Sequence, residues 1–101
     1  MRNIFAYPLP KRESESFFTE LEDEHVTIKT IVSNTLTTPQ EFVQECDEWV
    51  VVLQGCAKIA MDGVVYKLKK GDTLFIPAGV VHRLLKTKKI VVWLAVYIKK
   101  Q

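Results

Sequence analysis

Between Lys70 and His82 the chain reads Lys70-Gly71-Asp72, Thr73-Leu74-Phe75-Ile76, Pro77-Ala78-Gly79, Val80-Val81-His82. Two turn signals bracket an apolar run too short to repay the nucleation of a helix, so the segment reads as strand, turn, strand. It delivers one histidine inward at its end. The same punctuation recurs along the chain. Asp62-Gly63 is a tight-hairpin signal ahead of Val64–Leu68. Gly55 closes the dense apolar run Glu48–Gln54, and Cys56–Met61 is expected to pair back across it. His25–Ser33, rich in β-branched residues, begins the sheet, and Thr35–Glu41, containing Pro39, reads as a loop. Val80–Leu85 and, after a lysine-rich turn, Ile90–Ile98 complete the pattern. About eight short strands at this spacing predict an all-β fold, a small antiparallel β-barrel or jelly roll.

A chain of 101 residues holds one core, not two. Residues 1–12 read as an extended arm, and residues 13–24 as a short amphipathic helix. In that helix Phe17, Phe18 and Leu21 share a side, and Ser14 or Ser16 caps the start. The barrel then spans residues 25–101. In Ile90–Ile98 both alternating sets are apolar: Ile90, Val92, Leu94, Val96 and Ile98, and Val91, Trp93, Ala95 and Tyr97. One set lines the barrel. The other needs the N-terminal helix or a second copy of the chain, so a homodimer is expected, and Trp49, Trp93 and Tyr97 form the aromatic face that would dock a partner.

Hydrophobic residues make up 48% and charged residues 26%, a globular composition, and the net charge of +2 argues for no nucleic-acid partner. The charge is uneven: residues 1–50 hold 4 basic and 10 acidic side chains, residues 51–101 hold 10 and 2. The lysines of the second half (Lys67, Lys69, Lys70, Lys86, Lys88, Lys89, Lys99, Lys100) read as solvation of strand ends and edges, with an anion-attracting patch as the alternative. The longest apolar run, Ile90–Ile98, falls far short of the roughly 20 residues of a membrane helix. Two cysteines without metal-type spacing and a start unlike a secretory signal point to reduced thiols and a cytoplasmic location. Nothing resembles a phosphate loop, a dinucleotide fingerprint or a helix–turn–helix.

The segment Gly71-x5-Pro77-x-Gly79-x2-His82 resembles the second motif of the cupin family, and Glu48-x6-Gly55 resembles the end of the first. Gln44-Glu45-Cys46-Asp47-Glu48-Trp49-Val50, Pro77–Arg83 and Trp93-Leu94-Ala95-Val96 are similar to segments of small single-domain cupins. The resemblance implies a barrel whose mouth holds a site. In metal-binding cupins two histidines and a glutamate of the first motif join one histidine of the second around a divalent ion. Glu48 and His82 match two of those positions. The first-motif histidines fall on Phe42 and Gln44 with one spacing, or on Glu41 and Val43 with another. Lys86 stands where an asparagine often follows the histidine.

The expected site is therefore a degenerate one. Phe42, Gln44, Glu48 and His82 are the candidate ligand-binding residues for a small polar or acidic molecule. Glu48 and His82 are the candidate catalytic pair, a carboxylate that orients an imidazole and shifts its proton affinity. A divalent metal on Glu48 and His82, with Gln44 or Cys46 as third ligand, is the alternative to no cofactor. Cys46 shares the parity of Gln44 and Glu48 on an extended chain. The rival functions are an isomerase- or epimerase-like enzyme, with or without metal, and an interaction module. His25 reads as a surface residue, and Arg83 points out of the barrel.

Overall fold

The structure is a computed structural model and describes residues 1–100. Seven strands account for the regular structure: β1 (Ser14–Glu22), β2 (Val26–Asn34), β3 (Gln40–Phe42), β4 (Asp47–Met61), β5 (Val64–Lys69), β6 (Thr73–Ile76) and β7 (His82–Ile98). All pairings are antiparallel. The sheet runs β1-β2-β7-β4-β5, with β3 beside β7 and β6 beside β4. The two longest strands, β4 and β7, pair with each other from Asp47↔Ile98 to Met61↔His82. Their first and last parts take different neighbours. The Ile90–Ile98 end of β7 lies between β2 and β4, and its His82–Leu84 end lies between β3 and β4. The sheet thus rolls around one core: Ile31, Leu36, Val50, Val52, Ile59, Leu68, Leu74, Ile76, Leu84 and Val91 are buried, and Trp93 closes the layer.

No helix is present among the described residues; the segment expected to be one is β1. Phe17 and Phe18 explain the difference. On a helix they would share a side, but here Phe17 pairs with Ile31 and Phe18 with Thr30, so they face opposite ways. A helix that short is marginal in water, whereas β1 completes the hydrogen bonding of β2. A register shift between Thr19 and Leu21 absorbs the irregular spacing that suggested a helix. The preceding arm lies on the outer side: Arg2 sits 3.6 Å above the Phe18 ring and pairs with Glu20, which accepts from the Thr30 hydroxyl.

Three further expectations change. Glu48–Gln54 and Cys56–Met61 are one strand, not a hairpin, because both halves pair with β7. Gly55 falls within the register shift between Gln54 and Cys56, directly after the one between Val52 and Gln54, and has φ +86°, a bulge that bends β4 rather than reversing it. The lysine-rich stretch near Lys86–Lys89 is likewise part of β7. Thr87 is buried and bonds the Leu36 amide while Lys86 and Lys88 alternate outward. The loop after β2 also ends earlier than expected, since Gln40–Phe42 pairs with β7 as β3. Asp62 and Gly63 both have positive φ, the two-residue turn that their sequence signals.

Gly55 is the position that most constrains the bend, because a Cβ there would lie 2.4 Å from the Ile90 carbonyl oxygen. Gly55→Ala is expected to cost more than about 2 kcal/mol in urea unfolding, combining left-handed strain with displaced backbone. Gly71→Ala has a similar φ but open space around it, and should cost only about 1 kcal/mol.

Candidate functional site

The turn before β7 is tied to the chain entering β4. The Gly79 amide donates to the Gln44 carbonyl and the Ala78 amide to Asp47 Oδ1, both at 2.8 Å. These two bonds fasten the ends of the two motif segments together. From that junction Glu48 enters β4 facing inward, opposite Ile76 on one side and Tyr97 on the other. His82 starts β7 between Phe42 and Met61. Both side chains are buried, each about 8% exposed, and both reach a narrow cavity of about 90 Å³.

His82 Nδ1 lies 3.3 Å from the Val80 carbonyl oxygen. A carbonyl only accepts, so this contact places a proton on Nδ1 and leaves Nε2 facing Glu48. Nε2 is 3.9 Å from Glu48 Oε1, too far for a direct hydrogen bond. The Phe42 ring stacks on the imidazole, with centroids 5.8 Å apart and planes inclined by 24°. Glu48 Oε1 accepts from Gln44 Nε2 at 2.5 Å, and the carboxylate is also bonded by the Tyr97 hydroxyl. Burial raises the Glu48 proton affinity above that of an ordinary carboxylate; the Gln44 bond, the His82 charge and the Tyr97 bond offset part of the rise. Tyr97 is pushed up in turn by burial and by the charge of Glu48.

Four of the expected residues, Phe42, Gln44, Glu48 and His82, therefore line one cavity. Cys46 does not. It precedes β4 and lies outside the lining, although Gln44, also ahead of β4, is part of it. Trp93 and Tyr97 face inward rather than forming an outer docking face: Trp93 is buried and its indole N–H donates to the Ser33 hydroxyl at 3.0 Å. Arg83 is exposed, as its neighbour position to an inward His82 requires.

Reading the sequence missed a second carboxylate. Glu15 on β1 lines the cavity beside Phe17. Its Oε2 accepts from the Ser33 hydroxyl at 2.5 Å, so Glu15, Ser33 and Trp93 form a hydrogen-bonded chain across β1, β2 and β7. Burial raises its proton affinity, and the Ser33 bond offsets part of the rise. The signal lay in the alternation of Glu15 and Phe17 against Ser16 and Phe18, hidden once the segment is read as a helix.

The side chains present do not fit a resident divalent metal. No group of three or more His, Cys, Asp or Glu able to share an ion occurs among the described residues. The cavity offers one imidazole and two carboxylates, of which Glu15 is engaged by the Ser33 hydroxyl, and the Gln44 amide donates its NH₂ to Glu48. No helix among the described residues is long and apolar enough to cross a membrane.

The rolled sheet, the bonded motif ends and the inward Glu48 and His82 agree with a direct comparison: the family model for the cupin domain matches residues 27–97. The chain belongs to the cupin family. A crystal structure from Ralstonia eutropha JMP134, of a protein provisionally named a mannose-6-phosphate isomerase, is 33% identical to this cupin. It covers 99% of this chain and 98% of that one, with a TM-score of 0.88. KdgF from Halomonas sp. shares the fold at 12% identity and a TM-score of 0.76, covering 86% of this chain and 82% of that one. An uncharacterised protein of Aquifex aeolicus (strain VF5) is 40% identical over 53 residues, 52% of this cupin and 44% of the relative, so the match spans less than half of that protein.

The raised proton affinity of Glu48 has a definite sign in stability. A carboxyl that binds its proton more tightly when folded stabilises the native state at low pH. That contribution is lost as pH rises from the unfolded value, near 4.5, through the raised folded one. Thermal unfolding of wild type and Glu48→Gln should therefore diverge in favour of the variant across that window and run parallel above it. A difference independent of pH would show that Glu48 titrates normally.

Proposed function

We propose that this cupin binds a small, uncharged polar molecule in the cavity between β1, β3, β4 and β7, with His82 and Glu48 gripping one of its hydroxyl groups. The observation that carries the reading is the 3.9 Å gap between His82 Nε2 and Glu48 Oε1 in a buried cavity. When the pair holds one proton, on Nε2 or on the carboxyl, an oxygen about 2.8 Å from both atoms would accept from the protonated group and donate its own hydrogen to the other. Gln44 holds the carboxylate, and Phe42 supplies an apolar wall over the imidazole. Of the polar or acidic ligand expected above, this reading keeps the polar part. Glu15 and Glu48 both line the cavity and His82 is its only basic side chain among the described residues, so an anion would enter against two carboxylates. The cavity is smaller than the roughly 300–1,000 Å³ of sites that enclose drug-sized ligands. The ligand is accordingly small, or inserts one end.

Catalysis by the same pair is the second reading, favoured by the name of the 33% identical relative. Glu48, with its raised proton affinity, and His82 would exchange a proton with a substrate hydroxyl or an adjacent carbon acid. Retention of a sugar phosphate would draw on Lys29, outside the lining but 5.6 Å over the Tyr97 ring and acting on Glu48, against the two carboxylates of the lining, which weighs toward unphosphorylated substrates. Titration calorimetry against neutral polyols and sugars, small carboxylic acids and sugar phosphates tests both readings. His82→Ala should weaken the neutral ligand at least tenfold, about 1.4 kcal/mol. Unchanged affinity would overturn the reading. Turnover of a ligand by wild type and not by Glu48→Gln would promote it to an enzyme.

Dimerisation through the outer face of β4 and β6 belongs to the same proposal. Trp49 and Phe75 lie directly opposite one another there and are both exposed. Light scattering at micromolar concentration should give twice the chain mass for wild type and the chain mass for Trp49→Glu.

A further inference from the structure

We propose that the outer face of β5, β4 and β7 is a second binding site, for a compact polyphosphorylated molecule. The pairing builds a grid. Lys58 on β4 is directly opposite Lys67 on β5 and Lys86 on β7. Two residues along, on the same face, Cys56 is directly opposite Lys69 and Lys88. Five lysines thus flank one cysteine on three sides of the grid, all of them exposed residues. They line a groove of about 520 Å³, within the range of small-molecule sites.

Edge protection accounts for Lys67 and Lys69 on the terminal strand β5 but not for Lys58: β4 has a neighbour on each side, and Lys58 has lysine across from it in both directions. Like charges directly opposite destabilise a sheet. None of the five is in an ion pair among the described residues. The acid of the groove, Asp72, is already engaged, accepting the Lys69 backbone N–H at 2.8 Å. An anion bound over the grid would turn mutual repulsion into shared attraction.

The geometry selects the occupant. Five positive groups in two short rows match several phosphates on one small molecule better than a single phosphate. The lining contains no aromatic side chain on which a base could stack, unlike the grooves that track single-stranded nucleic acid. The grid lies on the opposite side of its strands from Ala57, Leu68 and Thr87, which are buried, so it is separate from the Glu48–His82 cavity.

The test is titration of the intact protein with tripolyphosphate, inorganic phosphate and a single-stranded oligonucleotide, at low and at high salt. Tripolyphosphate should bind saturably, one per chain, and weaken as salt rises. Lys58→Gln should reduce its affinity at least tenfold. The variant alone should be no less heat-stable than wild type, because it relieves repulsion, yet tripolyphosphate should raise the melting temperature of wild type only. Cys56 alkylation should slow in wild type when tripolyphosphate is present. No saturable binding at low salt, equal binding by Lys58→Gln, equal affinity for inorganic phosphate, or preference for the oligonucleotide would each overturn the proposal.

Discussion

The ladder between β4 and β7 is the constraint from which the other features follow. These strands stay paired from Asp47↔Ile98 to Met61↔His82 while the sheet turns around the core, so each contributes to both walls of the barrel. Strands of 15 and 17 residues cannot do this flat. The register shifts around Gly55 bend β4, and the residues opposite them on β7 include Val91 and Val92, both fully buried. Because the ladder ends at His82 on one side and begins beside Glu48 on the other, the bend also brings the two site residues together.

Burial and polarity compete at the mouth of the barrel. The cavity wall is built mainly from Ile31, Val50, Ile59, Ile76 and Leu84, yet Glu15, Glu48 and His82 open into it. Each buried polar group is partly satisfied from within: Glu15 by Ser33, Glu48 by Gln44 and Tyr97, His82 through Nδ1 by the Val80 carbonyl. What is left over points at the cavity. No buried side-chain nitrogen or oxygen among the described residues lacks a partner, so the wall carries little of the cost of unpaired burial, and the proposed ligand would occupy the Glu48–His82 gap.

The two outer surfaces differ as sharply as the interior. One presents Trp49 and Phe75, the other the five lysines around Cys56. The near-neutral net charge conceals this, because the acids lie mostly in the first half of the chain and the bases in the second. Strand pairing then gathers Lys58, Lys67, Lys69, Lys86 and Lys88 from three separate stretches onto one face.

Much was legible beforehand where local chemistry decides the outcome. Asp62-Gly63 and Pro77-Ala78-Gly79 are turns because few other residues tolerate those backbones, and Thr73–Ile76 is a strand because it is too short to be anything else. The inward Glu48 and His82 were implied by the cupin resemblance, and the outward Arg83 then followed from alternation. The misreadings lie where long-range pairing decides. Ser14–Glu22 is a strand because β2 offers it an open edge, Gly55 is a bulge because both halves of β4 find β7, and Trp93 and Tyr97 face inward because of the register between β2 and β7. Sequence by itself determined the barrel family, the turns and half of a polar site, since these rest on residue types and short spacings. Only the tertiary structure decided that Glu15 joins that site, that Cys46 does not, and that scattered lysines form a grid, because each depends on which strands lie side by side.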